Sequence, residues 1–150
     1  MNWIFDFGAV VFEWRPVELV QTHFPRVARD EAGARALAEA IFGHADWRAF
    51  DAGRCTADQV IESTVARLNL EREPFESLVT RLPDVLRPIA GTVQVLEQLR
   101  SARQDGIDLK LFFLSNMPAP VARELQRRHA FIQWFDGGIF SGDVMCAKPD

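Results

Sequence analysis

The sequence predicts an α/β protein with a Rossmann-like parallel sheet and an inserted helical cap. An apolar run at residues 3–12 contains one charged side chain, Asp6, and a second apolar run covers residues 109–114. Such runs are typical of parallel strands that are buried on both faces. Several helical patterns separate the two runs, whereas a crossover between parallel strands needs only one helix. The surplus helices therefore predict an insertion.

The first predicted strand begins the apolar run at residues 3–12 and lies at the centre of the sheet, covered on both faces. Asp6 stands where this strand ends. In open α/β sheets, ligands bind outside the carboxyl ends of the strands. Asp6 is therefore in a position for chemistry.

The cap, residues 14–86, begins with two predicted helices. Pro16 fits the first turn of a short helix that ends at His23. Asp30 is a favourable N-cap for a second helix at residues 31–42, and Gly43 ends that helix.

The rest of the cap is also predicted to be helical. Trp47 and Phe50 lie three residues apart, which is typical of one apolar helical face, and residues 51–54 read as a turn. A capping box that starts at Thr56 begins another helix. A last helical segment covers residues 74–82.

The core resumes near residue 87 and alternates helix and strand. A helix is predicted at residues 88–103, because apolar side chains recur there at helical spacing. The second strand, residues 109–114, is followed by a helix that ends near residue 129. A short third strand at residues 138–140 leads into the loop 141–150. The chain thus divides into a core, residues 1–13 and 87–150, and the cap.

Composition excludes several classes of function. The 150 residues are 48% hydrophobic with a net charge of −4, which argues against a nucleic-acid surface because such a surface needs clustered cations. Two cysteines without Cys-x-x-Cys spacing indicate neither a zinc site nor a disulfide framework. Neither a signal peptide nor a membrane-spanning run is recognisable, so we expect no membrane partner and a cytoplasmic protein.

Polar residues follow each of the three predicted strands. They are Asp6, the pair Ser115 and Asn116, and Lys148. Because the carboxyl ends of parallel strands share one edge of the sheet, these side chains can converge. A carboxylate, a hydroxyl and an ammonium suit phosphoryl transfer, in which Asp6 attacks phosphorus and Lys148 offsets charge. Asp6 and the backbone carbonyl of Gly8 are oxygen ligands that suit Mg²⁺.

These motifs resemble the haloacid dehalogenase superfamily, and within it the phosphatase-like members that have a small helical cap and an Asp-x-Gly first motif. The resembling segments are residues 5–12, 47–56, 114–116, 141–143 and 148–149. The resemblance implies that Asp6 is the nucleophile, that Ser115 binds the transferring phosphoryl group and that Lys148 steadies both. It also implies that Asn116 faces the substrate, a small phosphorylated metabolite, and that the cap acts as a lid.

The chain departs from the family pattern in two places. Family phosphatases usually carry a second aspartate, the general acid, where this chain has Gly8. Their acidic metal-binding pair lies beyond the Lys-Pro element, so we expect it after Asp150, within on the order of 20–40 further residues. A core that is incomplete at its C-terminus predicts weak or absent catalysis by these 150 residues alone.

Two alternatives remain open at this point. The same nucleophile could displace halide from a 2-haloacid without a metal, although dehalogenases of the superfamily resemble one another in placing a bulky aromatic residue where Gly8 stands. The chain could also be a binding or regulatory module that keeps the fold and has lost the reaction. Dependence on a metal distinguishes a phosphatase from a dehalogenase. Trapping of a phosphate analogue on Asp6 distinguishes an enzyme from a binding module.

Overall fold

The computed structural model describes residues 1–149, so Asp150 lies outside the described residues. Its centre is a parallel sheet of three strands in the order β1 (Asn2–Phe5), β2 (Lys110–Ser115) and β3 (Gly137–Phe140). Helices precede and follow β2 along the chain. The α/β class with a parallel sheet is therefore confirmed.

The segment between β1 and the next core helix is helical, as the sequence predicts. It contains α1 (Pro16–His23), α2 (Glu31–Phe42), α3 (Ala45–Asp51), α4 (Ala57–Leu68), α5 (Arg72–Thr80) and α6 (Leu82–Val85). The predicted caps form as expected: the Asp30 side chain accepts a hydrogen bond from the backbone of Gly33, and both bonds of the Thr56–Gln59 capping box are present. Within the described chain, none of the helices combines the length and apolarity that a membrane crossing requires.

The core helices bury one face of the sheet. They are α7 (Ala90–Gln104), α8 (Ala119–Arg128), a 3₁₀ helix (Ala130–Trp134) and the short α9 (Ser141–Val144). Leu111 and Phe113 of β2 share a buried cluster with Leu96 of α7 and Leu125 of α8. Lys110 and Leu114, which alternate with them along β2, are exposed. The strand is therefore half-buried, which is why its sequence is apolar on the helix side.

The first strand ends next to Asp6, as the sequence predicts, but it is more exposed than expected. β1 ends at Phe5, lies at the edge of the sheet that residues 1–149 form and exposes Ile4, so among these residues it is neither central nor covered on both faces. Beyond Asp6 the chain winds into a loop in which the carbonyl of Phe7 accepts hydrogen bonds from the backbone of residues 10, 11 and 12. Phe7, Val11 and Phe12 are fully buried. The apolar run thus reflects a loop packed into the core and not a longer strand.

Candidate active site

Asp6 is held at the end of β1 by its buried neighbour. The backbone N–H of Phe7 donates a 2.7 Å hydrogen bond to Asp6 Oδ1. The Phe7 ring packs against the rings of Phe113 and Phe140, at centroid distances of 4.8 and 5.2 Å. Because Phe7 is anchored in the core, the Asp6 carboxylate is fixed where the strand ends.

Lys148 reaches Asp6 from the opposite end of the chain. Its Nζ donates to Asp6 Oδ2 at 2.6 Å and to the carbonyl of Leu114 at 2.9 Å. The carboxylate and the ammonium are 43% and 34% exposed, so both remain open to a ligand. The sequence predicts that Asp6 and Lys148 converge, and the structure brings the two side chains into contact.

Asn116 holds the loop that carries Lys148. Its Oδ1 accepts from the backbone N–H of Lys148 at 2.8 Å, and its Nδ2 donates to the carbonyl of Lys148 at 3.0 Å. Both polar ends of the amide are therefore engaged in positioning the lysine. The assignment of Asn116 to substrate binding stays a prediction.

Ser115 is the last residue of β2 and is 1% exposed. Its Oγ has no hydrogen-bond partner among residues 1–149. Buried hydroxyls are nearly always hydrogen-bonded, so this unpaired hydroxyl at the end of β2 is an exception. Ser115 itself does not line the cavity described below, whereas Asn116 and Met117 do.

A cavity of about 230 Å³ opens above the Asp6–Lys148 pair, between the cap and the core. Its charged lining residues are Asp6, Asp51 and Lys148. Its apolar lining residues are Trp14, Phe42, Trp47, Leu82, Leu86, Met117, Pro118 and Val121. Trp47 serves both the cap core, where it is buried, and the cavity wall.

Asp51 is a candidate that the sequence does not single out. Residues 51–54 are predicted to form a turn, but α3 continues through Asp51 and places it on the cavity. Burial among apolar neighbours raises the pKa of the Asp51 carboxyl from 3.8 to about 7. No hydrogen bond or ion pair from residues 1–149 reaches this carboxyl. No local pattern marks it, because its burial comes from segments far away in sequence.

The end of α3 is joined to the core through Ser141. Ser141 Oγ donates to the carbonyl of Asp51 at 2.6 Å and accepts from the backbone N–H of Met117 at 2.8 Å. Next to this link, a Cβ on Gly53 would lie 2.5 Å from the carbonyl oxygen of Gly142, and Gly53 has a φ of +67°. Only glycine suits that position, and the close backbone approach fixes the cap against α9.

Mg²⁺ is a hard cation that takes oxygen ligands and usually keeps several waters. Asp6 and Gly8 line the cavity, and the Gly8 carbonyl accepts no hydrogen bond from the described residues. A carboxylate oxygen and a carbonyl oxygen are ligand types that Mg²⁺ accepts. Residues 1–149 contain no cluster of three or more histidine, cysteine or acidic side chains that could hold a metal. The described chain therefore supplies one carboxylate and one carbonyl, and waters and substrate oxygens would complete the shell.

No protein-family model matches the chain. A sesquiterpene phosphatase, astK, from Aspergillus oryzae is 25% identical over 147 residues, which are 98% of this chain and 67% of that protein. A haloacid dehalogenase (HAD) family enzyme from Bacteroides thetaiotaomicron, solved with magnesium and inorganic phosphate, superposes with a TM-score of 0.63 at 14% identity. That match covers 99% of this chain and 72% of the other.

A second solved structure has the same architecture. The L-2-haloacid dehalogenase from Xanthobacter autotrophicus superposes with a TM-score of 0.63 at 21% identity, over 99% of this chain and 59% of that protein. The chain thus spans between 59% and 72% of the length of these three proteins. At these identities, the two structural likenesses establish the fold.

Proposed function

The chain has the fold of the haloacid dehalogenase-like hydrolases, and we propose that it hydrolyses phosphate monoesters through an aspartyl-phosphate on Asp6. The observation that carries the proposal is the 2.6 Å contact between Asp6 Oδ2 and Lys148 Nζ at the cavity. A carboxylate that is oriented by an ammonium is suited to attack an anionic phosphoryl group, because the cation offsets the repulsion between the two anions.

In the proposed phosphoryl transfer, each residue around Asp6 has a separate role. An Asp6 oxygen forms a bond to phosphorus while the bond to the ester oxygen breaks. We assign to Ser115 the donation of a hydrogen bond to a phosphoryl oxygen, because its hydroxyl has no partner among residues 1–149. Since Ser115 does not line the cavity, its side chain has to turn toward the cavity when the substrate binds. Asn116 keeps Lys148 in place by its two bonds to the lysine backbone. Mg²⁺, held by the Asp6 carboxylate and the Gly8 carbonyl, would neutralise further charge on the phosphoryl group.

The cavity favours a substrate with an apolar body. Aromatic and aliphatic side chains form most of its wall away from Asp6 and Lys148. Burial of apolar substrate surface there supplies binding energy at about 25 cal/mol per Å². The similarity to a sesquiterpene phosphatase also supports a substrate with an apolar body. We therefore propose a phosphate monoester of a small hydrophobic alcohol.

The test is phosphate release with Mg²⁺ by the protein expressed from its complete reading frame. The substrates are the monophosphates of a hydrophobic alcohol and of a sugar. We expect preference for the hydrophobic ester and loss of release in Asp6→Asn. Asp105→Asn, which changes an exposed carboxylate at the end of α7, is the matched control and keeps full activity.

Three results would contradict the proposal. Activity retained in Asp6→Asn would exclude the aspartyl-phosphate. Chloride release from a 2-chloro acid without Mg²⁺ would favour dehalogenation. Absence of both reactions, together with no binding of beryllium fluoride and Mg²⁺ at Asp6, would favour a binding module.

A further inference from the structure

We propose that Asp51, at the end of α3 in the cap, is the general acid that protonates the leaving oxygen of the substrate. This role rests on the proposed phosphatase function. It gives a task to a carboxyl that lines the cavity, and it answers the lack of an acidic side chain at position 8.

The first support is the arrangement of charges around the cavity. Of its three charged lining residues, Asp6 and Lys148 are bonded to each other. Asp51 lines the same space, and among residues 1–149 it has no ion pair or hydrogen bond to its carboxyl. A carboxyl without a partner is able to donate its proton to a ligand.

The second support is protonation. The apolar surroundings hold the pKa of Asp51 at about 7, so a large fraction of the carboxyl keeps its proton at neutral pH. A general acid is most effective when its pKa is near the working pH. An ordinary exposed aspartate, with a pKa near 3.9, would have lost the proton.

Burial alone raises this pKa, because the charged groups on the neighbouring elements are engaged or exposed. On α3 itself, Asp46 is paired with Arg67 of α4, at the other end of the helix. Helix α2 meets α3 through the contact of Phe42 with Trp47. On α9, Asp143 is exposed. Across the cavity stand Asp6 and Lys148, whose opposite charges are 2.6 Å apart.

The third support is a fixed position. The carbonyl of Asp51 is bonded to Ser141 Oγ, and the same oxygen is bonded to the backbone of Met117. Met117 follows the Ser115–Asn116 pair that ends β2. The residue proposed to give the proton is thus tied, through one buried hydroxyl, to the strand end that carries the phosphate-binding candidates. Such preorganisation favours proton transfer.

The two chemical steps balance with Asp51 as the proton carrier. In the first, Asp6 Oδ bonds to phosphorus, the electron pair of the breaking bond goes to the ester oxygen, and the Asp51 proton joins that oxygen to release the alcohol. In the second, a water oxygen attacks phosphorus, the electron pair of the acyl phosphate bond returns to Asp6, and a water proton returns to Asp51. Phosphate leaves, and both carboxyl groups are restored.

The test compares two leaving groups on the protein from its complete reading frame with Mg²⁺. Dinitrophenolate leaves without protonation, whereas an alkoxide needs an acid. We expect Asp51→Asn to lower kcat/KM for an alkyl phosphate by about 100-fold or more and to leave that for 2,4-dinitrophenyl phosphate nearly unchanged. The wild type should lose kcat/KM for the alkyl ester above about pH 7, and this limb should vanish in the variant.

Controls separate a folding defect from a chemical one. Asp51→Glu keeps a carboxyl on the cavity and should recover part of the activity toward the alkyl ester. Asp105→Asn should behave as the wild type. An equal decrease of kcat/KM for both esters in Asp51→Asn would overturn the role of Asp51 and would leave the proposed phosphatase function standing. A wild type that releases phosphate from neither ester would overturn the proposed function, and the role of Asp51 with it.

Discussion

Asp51 combines a proposed catalytic role with a cost in stability, because an ionised carboxyl is poorly solvated in an apolar cavity. Its pKa is raised on folding, so the folded state holds the proton more tightly than the unfolded state between pH 3.8 and about 7. Across that interval the free energy of unfolding falls as the pH rises, and above it the penalty is constant.

Replacement of this carboxyl should therefore stabilise the protein only at the higher pH. The free energy of unfolding of Asp51→Asn, minus that of the wild type, should be larger at pH 8 than at pH 4 by on the order of 4 kcal/mol. The reason is that each pH unit by which folding raises a pKa corresponds to about 1.4 kcal/mol. Urea unfolding of both proteins at the two pH values measures the difference. A gain of the same size at both would show that Asp51 does not titrate with a raised pKa.

In the proposed reaction, Lys148 contributes to charge neutralisation more than to folding. Its pair with Asp6 is about one third exposed on the lysine side, and pairs of this kind contribute about 1 kcal/mol or less to stability. Lys148→Met should lower kcat/KM for any phosphate ester by about 100-fold or more, because the developing charge loses a donor. The free energy of unfolding should change little.

The other lysine provides the control. Lys110, the first residue of β2, is exposed and lies outside the cavity. Lys110→Met should retain the wild-type activity. Equal activities of the two variants would remove Lys148 from the mechanism.

Gly8 offers a way to relocate the acid. A Cβ at Gly8 meets no atom within 4 Å, and Gly8 lines the cavity, so an aspartate fits there. In an Asp51→Asn background, Gly8→Asp should raise kcat/KM for the alkyl phosphate by about 10-fold or more. Gly91→Asp, at another open glycine on α7, should give no recovery. If Gly8→Asp recovers no activity, loss of a general acid does not explain the low activity of Asp51→Asn.

At this scale, Asp6 and Lys148 were predictable because each follows a strand or lies in a loop that the topology brings to one edge of the sheet. Asp51 was not. Its environment depends on Ser141, which is 90 residues away in sequence. Local patterns describe only the turn that follows it.

At the scale of elements, the contact between α3 and α9 determines how the cap meets the core. The hydroxyl of Ser141 satisfies two backbone groups at once, the carbonyl of Asp51 and the N–H of Met117. Ser141 is buried, so removal of its oxygen leaves both groups without a partner and no water replaces it at low cost.

Ser141→Ala should therefore lower the free energy of unfolding by about 1–3 kcal/mol. It should also lower kcat/KM for the alkyl phosphate more than for the dinitrophenyl ester, since the end of α3 is no longer fixed. Chemical denaturation and the two assays measure these effects. Ser101→Ala, at an exposed position of α7, is the control and should change neither. An unaltered Ser141→Ala protein would mean that the glycine contacts alone hold the junction.

The helices were predictable to within a few residues because their caps are local in sequence, as Asp30 and Thr56 show. The apolar run at residues 3–12 continues beyond the end of β1 for a physical reason. Apolar residues in a strand and in a buried loop look alike when both pack into the core, and Phe7, Val11 and Phe12 belong to the loop. The apolar pattern indicates burial and does not distinguish a strand from a buried loop.

At the scale of the whole molecule, one face of the sheet carries exposed apolar side chains. Ile4 pairs in register with Phe112, and Leu114 pairs with Ile139, so these four residues share a face. Ile4 is 70% exposed and Ile139 is 46% exposed. The core cluster lies on the opposite face, where Leu111 and Phe113 point to the helices.

A polypeptide of these 150 residues should therefore self-associate, because an exposed apolar face of this kind favours burial against a second copy. Sedimentation velocity should show a sedimentation coefficient that rises with protein concentration. The double variant Ile4→Lys and Ile139→Lys should remain monomeric, since ammonium groups on this face oppose its burial. Val27→Lys, at a position that is 55% exposed elsewhere on the surface, should leave the self-association unchanged. A wild type that stays monomeric at every concentration would show that this face is tolerated in water.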